Sequence, residues 1–218
     1  MILQSKKRLL VAGASGHAKV VIDMAEQLGY SEILVFDDDE SITACLGYPV
    51  AGRIDDMLLS NGWADYIVAI GNAKVRRNVI ERIDGANSRL HLATLVHPKA
   101  YVSKRAYIGP GSVVMAGAVA NAGACLAEAC IVNTSASVDH DCNLGAYVHV
   151  AVGANIAGSV AIGSDTWVGA GAVVNNNLTI CEGCTIGSGA VVVRDIEVSG
   201  TYIGVPARLI ETSSPIPS

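Results

Sequence analysis

Aromatic residues are scarce in this sequence. Its 218 residues include one Phe, two Trp and seven Tyr, while 51% are hydrophobic overall. A core built around stacked rings is therefore excluded. The apolar mass is Val, Ile, Leu and Ala with 23 Gly, a mixture suited to thin, regular layers. Positive charge is also short, with a net charge of −5. Nothing then draws the chain to nucleic acid or to an anionic membrane surface. No secretory signal is expected from the opening residues: "MILQSKKRLLV" has its charges misplaced and too short an apolar run. The six cysteines form no disulfide framework, so a cytoplasmic enzyme is expected. Cys181-Glu-Gly-Cys184 is a lone CxxC without a second pair, which reads as packing; no metal is expected.

Charge is unevenly spread as well. Only Arg194 and Arg208 among the Lys and Arg residues follow Ala106. That shift marks a domain boundary near residues 90–97, giving domains over 1–92 and 93–210 and a flexible tail over 211–218. Two stretches, Ala106–Ala127 and Cys142–Ser164, carry no charge. Their length suits a membrane span, but their Gly, Ala and Asn content and a six-residue pattern argue against one.

The pattern runs from Val96 to Val198 in steps of six, through Val102, Ile108, Val114, Ala120, Leu126 and onward. Every step is apolar. Four residues after each aliphatic comes a mostly small column that includes Ala118, Ala124, Cys130, Ala136, Cys142 and Cys184. A period of six fits neither an amphipathic helix nor a meander. It fits a parallel β-helix in which three hexapeptides make one coil, with nearly six coils in all. Glycines after the aliphatic, such as Gly109, Gly145, Gly163, Gly169 and Gly187, are expected to relax the backbone at the corners.

The first ninety residues read differently. Arg8–Ala12 is a strand and "GASGHA" a turn. A helix follows with a stripe of Val20, Val21, Met24, Ala25 and Leu28, ended by Gly29. Glu32–Phe36 and Ala64–Asn72 read as further strands, and "KVRRNVIERI" as a helix. This is a small βαβ sheet. "GASGHA" falls short of GxGxxG, yet amides at a helix N-terminus suit a phosphate, and the carboxylates after the second strand suit a ribose or base.

The repeat resembles the hexapeptide-repeat acyltransferases. With "GASGHAKVV", "VFDDD", "AIGN" and "VNTSASVDHDCNLGAYVHVAVGA" included, nearly the whole chain resembles the bacterial sugar-nucleotide acetyltransferases, the N-acetyltransferases of UDP-4-amino sugars most of all. The resemblance implies a Rossmann-like domain followed by a left-handed β-helix, a homotrimer, and acetyl-CoA as co-substrate with a UDP-linked amino sugar as acceptor. It makes His140 the catalytic base and Asp141 its tuning carboxylate. His149, Gly158, Ala170 and, more weakly, Ser188 match acetyl-CoA positions. Ser15, Gly16, His17, Asp37, Asp38 and Gly71 match the nucleotide-sugar pocket.

The 18-residue coil adds its own constraint. His140 stacks between Ala122 and Gly158, and His149 lies half a coil away, so the two act most easily across subunits. A neutral His beside a carboxylate can take a proton from an attacking amine. Cys142, the covalent rival, occupies an inward repeat position. Alternative readings are an O-acetyltransferase of the sialic acid type, a GDP-perosamine N-acetyltransferase, a hexapeptide-repeat zinc carbonic anhydrase and a non-catalytic nucleotide-sugar-binding scaffold.

Overall fold

The computed structural model describes residues 7–86 and 89–210; the tail expected over 211–218 lies outside them. The N-terminal domain opens with strand β1 (Arg8–Ala12), helix α1 (Gly16–Gln27) and strand β2 (Glu32–Phe36). A small hairpin of β3 (Ala44–Cys45) and β4 (Tyr48–Pro49) follows, then a 3₁₀ turn over Ile54–Leu59. Strand β5 (Ala64–Val68), helix α2 (Ala73–Asp84) and strand β6 (Leu90–Leu92) complete it. The sheet is parallel, in the order β2-β1-β5-β6.

Alternation along the strands assigns the two faces. Leu9, Val11, Ile33, Val35 and Ile67 bury against α1. Leu10, Ala12, Tyr66 and Val68 bury against α2 and the 3₁₀ turn. Two sequence expectations need correction here. Val20 is 41% exposed, because α1 turns Ala18, Val21, Ile22 and Ala25 inward at helical spacing and Val20 falls outside that arc. Strand β5 stops at Val68 rather than Asn72, since Asn72 caps α2 by accepting the Val75 amide at 3.1 Å.

From Leu95 onward the chain winds into a left-handed parallel β-helix of two-residue strands. Three faces hold six, six and five of these strands among the described residues, and the first is extended by Thr201–Ile203 and the antiparallel Arg208–Leu209. Strands one coil apart pair with an offset of 18, as where Val114 pairs Val132, Val132 pairs Val150 and Val150 pairs Val168. Inward aliphatics and the small column form one continuous core, with Cys130, Cys142 and Cys184 inside it. Each buried aliphatic stabilises by roughly 1.5–3 kcal/mol before chain entropy opposes it.

Two details depart from the six-residue reading. Glycines 109, 145, 163, 169 and 187 do not sit at positive φ. A Cβ at Gly109 would lie 2.6 Å from the Ala127 main chain, and one at Gly145 would lie 2.6 Å from the Ser164 amide. Close approach of the next coil requires them. The left-handed corner residues form another column, six apart, shared by Gly111, Gly117 and Gly123 with Ala129, Ser135, Asp141 and Tyr147. The register also slips at the end. Ile180 bridges Ile196 and Thr185 pairs Thr201, so the last coil has 16 residues. Ile196 takes the buried place and Val198 is 61% exposed.

The two domains share their cores. Leu95, Val113 and Ile131 point outward from the first face of the prism, the one whose strands begin at Leu95–Val96, and bury with α1. Ala129 and Tyr147, at corners of the prism, bury with Ile80 and Ile83 of α2. This fixes the N-terminal domain over one end of that face.

Candidate active site

The chemistry-bearing residues gather in two places. The first is a corner of the prism. His140 directly precedes the left-handed residue Asp141 (φ 57°), a conformation that Asp tolerates better than most residues. The turn presents both side chains to solvent. His140 Nδ1 donates to Asp141 Oδ2 at 2.9 Å, and the His140 main-chain amide donates to Asp139 Oδ1 at 2.8 Å. Asn121 Nδ2 donates to that same Asp139 oxygen at 2.8 Å. The ring lies against Gly158 one coil on, where any Cβ would strike it. Below, the Asp141 amide donates to the Ala122 carbonyl at 3.1 Å.

This network fixes the electronic state of His140. The hydrogen bond to Asp141, helped by the charge of Asp139, raises its pKa above the ordinary imidazole value. With Nδ1–H committed to Asp141, the Nε2 lone pair is the available base, and it has no partner among the described residues. Cys142 is buried two residues on, its Sγ donating to the Ala157 carbonyl, and burial pushes its thiol pKa up. That makes it a core residue and a poor nucleophile.

The second place is a cleft of about 680 Å³ between the domains. Gly71, Asn72, Ala73 and Lys74, at the start of α2, form one wall. His149, Thr166, Trp167, Gly183, Thr185 and Ser199 form the other. His149 is the outward residue of its strand, the successor of Ile131 and the predecessor of Trp167 in the ladder of the first face. Its ring lies 6.3 Å from that of His17 and 6.4 Å from that of Trp167. Asn133 Nδ2 donates to His149 Nε2 at 3.3 Å, which assigns the ring proton to Nδ1, facing Gly71. Burial first, then Arg76, lowers the His149 pKa to about 4. Burial, then His149 and Arg76, likewise lowers His17 to about 4. Both rings are neutral at physiological pH. His17 Nε2 is buried without a hydrogen-bond partner.

Ser15 and Gly16 open α1 beside this cleft. Ser15 is the N-cap but makes no side-chain cap, so the first amides of α1 keep donors to offer. Asp37 ties down the same turn, accepting the Ala14 amide at 2.6 Å. Asp38 points elsewhere: it accepts the Ile54 amide at 3.1 Å and lies 3.8 Å from Arg53 and 3.9 Å from Arg82. Ala170 and Ser188 are exposed and stacked one coil apart, the Gly189 amide donating to the Ala170 carbonyl, at the corner between the first and second faces. Gly158 and His140 share the corner between the second and third faces, so the second face separates the two pairs.

The structure thus joins His140 to Asp141 and Gly158, and joins His17 and Gly71 to His149. It does not bring His149 to Gly158, Ala170 or Ser188 within one chain. Lys74, Asn133, Trp167 and Arg76 were missed from sequence. Trp167 had a usable signal, being the only tryptophan in the repeat and lying on the ladder position of His149. Among the described residues no group of three His, Cys, Asp or Glu is placed to hold a metal ion. None of their helices is long and apolar enough to cross a membrane.

Comparison with known proteins places this arrangement. Residues 8–83 match the PglD N-terminal domain, and residues 159–194 match the bacterial transferase hexapeptide (six repeats). The acetyltransferase domain of PglB from Neisseria gonorrhoeae is 42% identical, with a TM-score of 0.89 over 94% of this chain and 100% of that one; it has also been solved with acetyl coenzyme A. PerB from Caulobacter crescentus, solved with CoA and GDP-perosamine, is 36% identical, with a TM-score of 0.88 over 94% and 97%. WeeI from Acinetobacter baumannii is 27% identical, with a TM-score of 0.84 over 94% and 100%. With its N-terminal domain, its left-handed β-helix and these two relatives above 30% identity, the chain belongs to the bacterial sugar-nucleotide acetyltransferases of the hexapeptide-repeat superfamily, and is an acyltransferase.

Proposed function

We propose that this enzyme transfers the acetyl group of acetyl-CoA to the 4-amino group of a UDP-linked amino-dideoxy sugar, in the cytoplasm, for glycan biosynthesis. The observation that carries the reading is the His140 corner: an exposed ring held at Nδ1 by Asp141, its main-chain amide held by Asp139, laid over a glycine with Nε2 free. Acetyl-CoA is already activated. The acceptor nitrogen must shed a proton as its lone pair attacks the thioester carbonyl, and His140 Nε2 takes that proton. The C–S bond then breaks, and the imidazolium returns the proton to the departing thiolate. No acyl-enzyme forms. A positioned base of this kind contributes roughly 10²–10⁴ in rate, and positioning supplies much of the rest.

The acceptor is assigned to the cleft. The α1 amides at Ser15 and Gly16 suit the diphosphate, Asp37, which holds that turn, stands near the nucleoside end, and His17, Gly71 and His149 surround the sugar. A neutral His17 with an unsatisfied Nε2 suits a sugar hydroxyl or carbonyl. Gly158, Ala170 and Ser188 border the second face, where a pantetheine arm has room. His149 reaches the thioester from the cleft side. His140 and the cleft come from different protomers of a homotrimer, so each active site spans an interface.

The experiment is a screen of acetyl-CoA turnover against UDP-, GDP- and CMP-linked amino and hydroxy sugars. The highest kcat/KM is expected for the UDP-linked 4-amino sugar. The 36% identity to an enzyme solved with GDP-perosamine favours a GDP-linked acceptor as the second reading, and a higher kcat/KM there would select it. Absence of thioester turnover with every acceptor would overturn both.

A further inference from the structure

Arg76 is the largest fully buried side chain of the described residues, 1% exposed, and no carboxylate pairs with it there. A buried cation without a counter-charge is costly unless its donors are satisfied. Here main-chain carbonyls satisfy them. Nη1 donates to Ile70 and to Gly71, each at 2.8 Å. Nε donates to Ala129 at 3.0 Å and Nη2 to Tyr147 at 2.8 Å. Two of the four acceptors belong to the loop that carries Gly71. The other two are left-handed corners of the β-helix, one coil apart. The rigid fork of the guanidinium suits this spread of acceptors. Neighbouring charges are committed elsewhere: Arg77 pairs with Asp165 at 2.7 Å and lies over the Tyr147 ring.

We propose that Arg76 is a positioning residue for the acceptor: by gripping the Gly71 loop and two corners of the β-helix at once, it sets the spacing between Gly71 and His149 and so the shape of the sugar end of the cleft. This rests on the reading of the cleft as the acceptor site. The geometry explains why a residue that touches no ligand sits at the joint. Gly71 has room for a Cβ 3.8 Å from the His149 ring, so a shift of that loop by about an ångström changes what fits there.

The test uses the full chain with three substitutions. Arg76→Lys keeps the charge but not the fork, Arg76→Met removes both, and His149→Ala alters the opposite wall directly. For Arg76→Lys the KM for the nucleotide sugar should rise about tenfold or more while the KM for acetyl-CoA stays within about twofold. His149→Ala should raise the KM for the same substrate, and that for acetyl-CoA as well, since its ring reaches the thioester. A readout that needs no substrate accompanies these: amide hydrogen exchange at Gly71–Lys74 should quicken in Arg76→Lys, while exchange in the β-helix core stays slow. Should Arg76→Met fail to fold, Arg76→Lys alone decides. A lowered melting temperature with an unchanged nucleotide-sugar KM in Arg76→Lys, against a raised one in His149→Ala, would make Arg76 merely structural and overturn the proposal. If the acceptor KM moves in neither variant although loop exchange quickens, the cleft is not the acceptor site, and the positioning role falls with that reading. Unchanged loop exchange would refute the grip itself.

Discussion

Two histidines nine residues apart occupy opposite settings. His140 stands in solvent at a corner, with one carboxylate on its ring, a second on its amide, and a raised pKa. His149 is enclosed between domains, with an amide on its ring, a buried arginine behind it, and a pKa of about 4. One has its affinity for a proton raised by carboxylates; the other stays neutral and offers hydrogen bonds within the cleft. The same period of six generates both. His140 takes the place just before a left-handed corner, where side chains escape to solvent. His149 takes the outward place on a strand, and the N-terminal domain covers that face. Local position within the hexapeptide decided exposure, and exposure with its neighbours decided chemistry.

Substitutions can break the contrast. His140→Ala should lower kcat by roughly 10²-fold or more with little change in melting, whereas His149→Ala should act mainly on KM. Equal kcat losses from both would erase the distinction. Gly158→Val places a side chain where the His140 ring lies, and so should approach the His140→Ala defect while leaving the β-helix folded; circular dichroism and steady-state rates check both parts.

The neutral pair makes a smaller, pH-dependent prediction. His17 and His149 have folded pKa values of about 4, against an unfolded value near 6.5. Between those values the unfolded chain binds more protons, so stability falls as pH falls from about 6.5 toward 4, at up to roughly 1.4 kcal/mol per pH unit for each group. In melting curves across that range, His17→Asn should flatten the slope; an unchanged slope would mean that His17 is not held neutral. The mildest effect belongs to Asp141→Asn. Removing the carboxylate lowers the His140 pKa, so the acidic limb of the kcat/KM profile should move to lower pH with a several-fold loss at the plateau. A stationary limb would transfer the tuning role to Asp139.

Much of the architecture could be read from sequence because hexapeptide spacing is a long, redundant signal. The inward places of Val114, Val132, Val150 and Val168 follow from counting by six. The break after Val192 did not show, since Val198 happens to keep the count apolar while Asp195 accepts the Thr179 amide and lets Ile196 enter the core two residues early. The role of the glycines is not legible, because sequence shows a recurring Gly but not whether φ or close approach demands it. The stacking of His140 on Gly158 was legible from an offset of 18. The cleft was not, because its second wall comes from residues 71–74, and only the packing of α1 on Leu95, Val113 and Ile131 brings those over His149. Arg76 carried no signal in "KVRRNVIERI", where Arg77 looks identical until one faces the joint and the other faces Asp165.

In the proposed mechanism one active site draws His140 and the cleft from different protomers. Mixing two inactive variants, His140→Ala and Gly71→Trp, tests it most directly. The tryptophan fills the cleft beside His149 and leaves the His140 corner untouched. After co-refolding at equal proportions, three-fold symmetry leaves one intact interface in each mixed trimer, so about a quarter of wild-type activity should return. Mixed trimers shown to form by mass spectrometry yet devoid of activity would place His140 and the cleft within a single chain and contradict the account.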